Sequence, residues 1–344
     1  MREIVEFRIN EDFASQLFAD NEGERLGDSV RKVELATDDP RFQRVGELQG
    51  QIRAATNSSF FYGRITHRYY TTDELSAAAC FHLMVMAAFE PAGEECGTKY
   101  DESTACPKCG AGATQVSDLR LDLRRVPKGK DIARTIADEI IVSQRLAEKM
   151  LDAGLTGFEL RRVRYKARYE DDPLDLSQWP TGRKILRKAE AAGAPHPTWE
   201  FWVWLNRAEN RALLDQAWAE YAASRRAKAR RCGKPTPVWY QLIVTSSQAE
   251  IVPPTRVGID PFDDDPKGEC RCPLGDLIGL NLLSEVSIRV ASRGDTDFVC
   301  TRQFVGVRRG LLRPRRVILI SPKVRRLIES ERLKGVEIEV AHVV

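Results

Sequence analysis

Histidine is scarce in this chain, with four in 344 residues, and no apolar run is long enough to span a bilayer. The longest such run, Ala77 to Phe89, is interrupted by His82. The first residues, Met1 to Phe7, lack a basic region followed by an apolar core, so neither export nor membrane insertion is expected, and a cytoplasmic location is. Enzyme motifs are missing too. There is no His-Glu-x-x-His, no Gly-x-Ser-x-Gly elbow and no Gly-x-Gly-x-x-Gly turn, and Gly129-Lys130-Asp131 lacks the upstream Gly and the Ser or Thr of a phosphate loop. The acidic run Asp263 to Asp265 has none of the alternation of a calcium loop. A non-enzymatic role is expected. Charge of one sign is lacking as well: 53 basic against 50 acidic residues leave +3, too little for the whole chain to attract nucleic acid or anionic lipid at a distance.

What is present is ordinary globular material, 42% hydrophobic and 30% charged, in a length that fits two or three domains. Periodicity predicts an N-terminal α+β region over 1–95, with strands at Glu3–Ile9, Val30–Leu35 and Phe60–Tyr70 and helices at Asp12–Phe18 and Arg41–Ile52. A cysteine knuckle and a first strand-helix-strand unit follow over 96–165. Residues 166–235 read as a Pro- and charge-rich connector, an aromatic strand Trp199–Leu205 and a long helix over 207–231 ending in a basic run. A second cysteine pair and a second unit occupy 236–344.

The two units match without a gap at an offset of 178 residues. Ile140-Ile141-Val142-Ser143 lies over Ile318-Leu319-Ile320-Ser321, and Leu155-Thr156-Gly157-Phe158-Glu159 over Leu333-Lys334-Gly335-Val336-Glu337. Three β-preferring residues make a strand, the Ser accepts from free helix N–H groups, Pro322 suits a first helical position, and the Gly turns the chain into the next strand. Ser143 and Ser321 are therefore read as helix caps, not nucleophiles. Each unit also follows cysteines and an alternating stretch, Leu119–Leu123 and Val286–Val290. The expected fold is α+β: two related halves, each ending in a strand-helix-strand unit, with a zinc-knuckle insertion and a long connecting helix.

The eight cysteines cluster in Cys-x-x-Cys and Cys-x-Cys spacings, which favours metal over disulfides in a reducing compartment. Cys106-Pro107-Lys108-Cys109-Gly110 is half of a zinc knuckle, in which a tight turn lets two thiolates grip one ion. Cys96, with nine residues between it and Cys106, is expected as a third ligand, although Gly93 stands where a second Cys-x-x-Cys would place its partner. The remaining ligand is sought among Cys80, His82, Cys270 and Cys272, the last pair tying the two halves together through the metal. Structural zinc is the expected cofactor.

Basic residues concentrate at Arg161 to Arg168, at the end of the long helix and at Arg308 to Arg316, but acids alternate with them and no nucleic-acid motif surrounds them. The Ser-capped units and the Cys106 to Gly110 turn resemble the C-terminal element and cysteine motif of bacterial immunity proteins from polymorphic toxin systems, including the cysteine-rich double-CXXCG family. That resemblance covers about 25 residues at each copy, and here Cys270-Arg271-Cys272-Pro273-Leu274-Gly275 replaces the second motif. It implies a zinc-stabilised cytosolic protein that neutralises a cognate toxin by direct binding. The alternative is a zinc-ribbon-containing protein that binds nucleic acid.

Overall fold

The alternation of Val5, Phe7 and Ile9 puts three fully buried side chains on one face of β1 (Arg2–Asn10). Strand β3 (Val30–Ala36) pairs antiparallel on one side of β1 and β4 (Phe61–Tyr69) on the other, while β2 (Glu24–Arg25) extends the edge to give the order β2-β3-β1-β4. Helix α1 (Glu11–Ala14), capped by Asn10, is shorter than the helix expected to reach Phe18. Helix α2 (Arg41–Ala55) lays Phe42, Val45, Leu48 and Ile52 over the apolar face of this sheet. A distant aromatic completes that core: Phe262 places its ring 5.0 Å from that of Phe42 and 6.3 Å from that of Phe7. It comes from the turn between β15 (Val257–Asp260) and β16 (Asp263–Asp264). The computed structural model describes residues 1–166, 176, 180–217, 219–220, 223, 237–264, 272, 281–292 and 294–344.

Two five-stranded sheets form the larger part of the remaining α+β fold, beside smaller two- and three-stranded ladders. The first runs β12-β14-β11-β10-β6 and the second β18-β21-β5-β20-β19. In the first, β10 (Ile132–Thr135) and β11 (Ile140–Ser143) make a hairpin, α4 (Gln144–Asp152) crosses over, and β12 (Phe158–Arg162) returns. Between β11 and β12 lies β14 (Trp239–Val244), and β6 (Ala88–Phe89) pairs parallel with β10 at the edge. In the second sheet β19 (Phe298–Val305) and β20 (Arg315–Ile320) pair, α7 (Pro322–Ser330) crosses over and β21 (Val336–Val343) returns, with β5 (Cys80–Val85) between β20 and β21. Both sheets thus hold a sequence-distant strand between the two strands of their strand-helix-strand unit, the central strand of that unit. The edge of the second is β18 (Ser287–Ile288), parallel to β21.

Both serines cap as expected. Ser143 Oγ accepts from the Leu146 N–H and Ser321 Oγ from the Val324 N–H, with Pro322 in the first turn. Each hydroxyl in turn donates to an aspartate that precedes the hairpin, Ser143 to Asp131 at 2.7 Å and Ser321 to Asp297 at 2.6 Å. The helices turn Leu146 and Met150, and Val324 and Ile328, into one cluster that also holds Phe81, Leu83, Val142, Leu242, Phe298 and Ile320. Side chains from both sheets therefore share a single core.

Two expectations for the 166–235 region need correction. The stretch around residue 180 is not all loop, because α5 (Pro180–Ala191) buries Ile185 and Ala189 one turn apart. Trp199–Leu205 is not a strand but helix α6, with Thr198 accepting from the Phe201 N–H. Phe201, Trp204 and Leu205 face inward at helical spacing, so packing on α5 overrides the β preference of the aromatic residues. The chain is helical again at 211–217, and the basic run expected at the end of that helix lies outside the described residues. Among the described residues no helix is long and apolar enough to cross a membrane.

Candidate metal centre

The cysteine turn sits inside a small ladder, β7 (Tyr100–Asp101) paired antiparallel with β8 (Thr114–Gln115). The Cys106 N–H donates to the Ala111 carbonyl and the Gly110 N–H to the Cys106 carbonyl, both at 2.7 Å, which folds the Cys-x-x-Cys back on itself. Gly110 has φ +77°, and a Cβ there would come within 2.6 Å of the Arg308 Cβ, so both conformation and space demand glycine. Against this turn lies Cys272. The thiols of Cys106, Cys109 and Cys272 lie within 4.8 Å of one another, all buried, with Ala111 in the same cluster and Phe304 and Val307 packed against it.

The electrostatics of the turn fit a thiolate ligand. The backbone N–H groups of Cys109 and Lys108 point at the Cys106 sulfur and hold its thiol below the usual range, aided by hydrogen bonds with the other two cysteines. Burial pushes Cys109 up to about 12, against the opposing N–H of Ala111. Three soft sulfur donors in a dry pocket, one already favoured as thiolate by amide donors, are the donor chemistry of a zinc or similar soft-metal site.

Cys96 stands outside this group. Its short 3-10 turn, Glu94–Cys96, leaves it buried with the Asp122 backbone N–H at its sulfur, and burial raises its thiol. The reason lies at Gly93, where a Cβ would meet Glu139 Oε1 at 2.4 Å, Leu119 Cδ1 at 2.7 Å and Thr98 Oγ1 at 2.7 Å. No side chain fits there, so the half-motif around Cys96 packs into the core against Glu139 instead of closing on a metal. Cys272 fills the third place. Cys270, two residues from it, lies outside the described residues. The other candidates are used elsewhere: Cys80 is buried on β5 opposite Ala341, and His82 Nδ1 lies 3.6 Å from Glu339 Oε2.

A polar clamp that the sequence reading missed fixes the turn to the loop after β19. Arg313 donates to Glu94 at 2.8 Å and to Glu102 at 2.9 Å and stacks on the Tyr100 ring at 3.9 Å. Arg308 pairs with the same Glu102, and its N–H donates to the Cys109 carbonyl at 2.8 Å. Tyr100 donates to Glu139 at 2.6 Å, and burial followed by the Glu139 carboxylate pushes its phenol up. The one hint in the sequence was the acids of 94–102 set against the basic stretch 308–316. That stretch is largely engaged within the protein, since Arg315 also lies 3.8 Å from Asp138 and Arg316 stacks on Phe304. Arg161 and Arg164 pair with Glu159 and Asp118 in the same way.

Comparison with models of known families, with curated proteins and with solved structures finds no significant match.

Proposed function

We propose that the chain is a zinc-stabilised cytosolic binding protein of two related halves, acting on a protein partner in the manner of an immunity protein that neutralises a toxin. The observation that carries the metal is the convergence of three buried thiols from sequence-distant segments, Cys106 and Cys109 on one side and Cys272 on the other. A site of sulfur ligands packed against Ala111, Phe304 and Val307 fits a structural role. Cys270 is the fourth ligand of this reading, because Cys-x-Cys spacing lets both thiolates reach one ion. The toxin-binding role is supported by the resemblance of the Ser-capped units and the Cys106 to Gly110 turn to immunity proteins. The engagement of Arg308 and Arg313 with Glu94 and Glu102 speaks for protein over nucleic acid as the partner.

Elemental analysis of protein purified without added zinc tests the metal: about one equivalent per chain is expected, falling away in Cys272→Ser, and less than half an equivalent in the parent overturns it. For the partner, the protein encoded beside this chain is expected to be captured with little dependence on salt. Failure to bind or to protect against it, or a steep salt-dependent affinity for DNA or RNA, overturns the immunity reading.

A further inference from the structure

The two five-stranded sheets repeat one another pairing by pairing. In the first, Val142 faces Tyr240 and Ile141 faces Gln241; in the second, Ile320 faces Phe81 and Leu319 faces His82. Phe158 to Arg162 run against Val244 to Tyr240 as Val336 to Val340 run against Val85 to Phe81. The hairpins agree, with Ile132 on Val142 and Ala133 on Ile141 matching Phe298 on Ile320 and Val299 on Leu319. So do the parallel edges, where Arg164 and Tyr165 face Arg120 and Leu121 as His342 and Val343 face Ser287 and Ile288. Single hydrogen bonds recur: Thr245 N–H to the Gly157 carbonyl at 3.0 Å, and Met86 N–H to the Gly335 carbonyl at 2.8 Å.

The central strands, however, are crossed. Strand β5 precedes the first unit in the chain and lies in the sheet of the second, and β14 precedes the second and lies in the sheet of the first. The glycine turns cross as well. A Cβ on Gly157 would come within 2.2 Å of the Phe298 carbonyl oxygen of the second hairpin, and one on Gly335 within 3.4 Å of the Ile132 carbonyl oxygen of the first. Arg145 on α4 donates to Glu331, the residue that ends α7, at 2.8 Å, and the matching Lys323 reaches back to the Gly154 carbonyl at 3.0 Å.

We infer that residues 80–166 and 237–344 are two copies of one unit whose obligate partner is a second copy of itself, joined here in tandem and interlocked by reciprocal exchange of the central strand. Chain length enforces the interlock. In the first sheet the central slot and the β6 slot are three strand spacings apart, about 14 Å. Only Met86 and Ala87 separate β5 from β6, a reach of at most about 11 Å from Val85 to Ala88. The β5–β6 segment must therefore straddle both sheets, giving one its centre and the other its edge. The first unit cannot complete its sheet alone.

The test is made on the full chain with a specific protease site inserted after Asp172, cut after folding. The two fragments are expected to co-elute in native buffer with a zinc chelator present, and to part only in denaturant. Separation on cutting, or on chelation of the cut protein, shows halves held by the chain or by the cysteine cluster alone and overturns the interlock. Cysteine pairs, oxidised or bridged with a short bismaleimide and mapped by mass spectrometry, test the crossing itself. Met84→Cys with Glu337→Cys, and Ile243→Cys with Glu159→Cys, are expected to link the fragments. Failure of both, or linkage instead of Met84→Cys to Glu159→Cys within one fragment, overturns the exchange.

Discussion

The N-terminal sheet draws all its strands from residues 2–69, whereas each five-stranded sheet takes its central strand from across the chain. The first kind of sheet is assembled by short connections around one helix, and its core is nearly local. The second kind pays the entropy of closing long loops before any ladder forms, and shares one apolar cluster between both sheets. The contrast teaches that stability should be divided unequally: damage in the N-terminal sheet stays there, while damage in either central strand spreads to both five-stranded sheets. The largest test is Phe81→Ala. Phe81 is fully buried on β5 in the shared cluster, and its truncation is expected to cost about 3–5 kcal/mol. Hydrogen exchange should show protection lost in the first sheet as well as the second. Phe7→Ala, of similar cost, should leave both protected, and loss confined to the second sheet in Phe81→Ala would break the comparison.

The joint between the two kinds of sheet is ionic. Arg68 on β4 donates to Glu3 at 2.7 Å and to Glu339 on β21, which also faces His82 on β5. Burial opposes ionisation of Glu339, but His82 and Arg68 outweigh it and hold the carboxyl below its ordinary value. A carboxylate with a depressed folded-state pKa contributes stability that is fully present above the unfolded value, about 4.3, and is lost as pH falls through the folded one. Denaturant midpoints should therefore drop on acidification below about pH 4, and Glu339→Gln should flatten part of that drop while weakening the protein at pH 7. An unchanged acid limb in the variant would show that the joint contributes nothing to it.

A third and smaller effect concerns a place where the N-terminal core is not local. A Cβ on Gly46 would lie 2.5 Å from the Phe262 ring, so Gly46→Ala is expected to unseat the β15–β16 turn at about 1–3 kcal/mol. Limited proteolysis should then cut near residues 257–264 faster than in the parent, and an unaltered cleavage pattern would mean the ring is not held there.

Local signals were legible and distant ones were not. The Ser caps, the strands Ile140–Val142 and Ile318–Ile320 and the helix faces of both units follow from residues within a turn of one another, and the ungapped repeat could be read directly, whereas the hairpin partners β10 and β19 are not among the expected strands. Nothing near Trp239 or Cys80 in sequence says which unit each strand will complete, because a strand's alternation fixes its faces and not its neighbours. At the cysteines, spacing named Cys106, Cys109 and Cys272, whose thiols the fold brings together, and also Cys96, which packs apart from them, a tertiary fact that spacing does not carry. Trp199–Leu205 shows the opposite failure, a short aromatic run whose composition favours a strand and whose Thr198 cap and inward Phe201 and Trp204 make a helix.

The smallest expected effect sharpens the comparison within the paired sheets themselves. Ser143→Ala and Ser321→Ala remove matching caps, each bonded to a matching aspartate, and each should cost about 1 kcal/mol. Because α4 and α7 pack into one cluster, the two losses act on a single cooperative unit, so the double variant should unfold in one transition with the costs summed to within about 0.5 kcal/mol. Two separable transitions, one moved by each serine, would mean that the sheets melt independently despite their exchanged strands. Hydrogen exchange followed across a urea titration decides between them, since peptides from β14 report on the first sheet and peptides from β5 on the second.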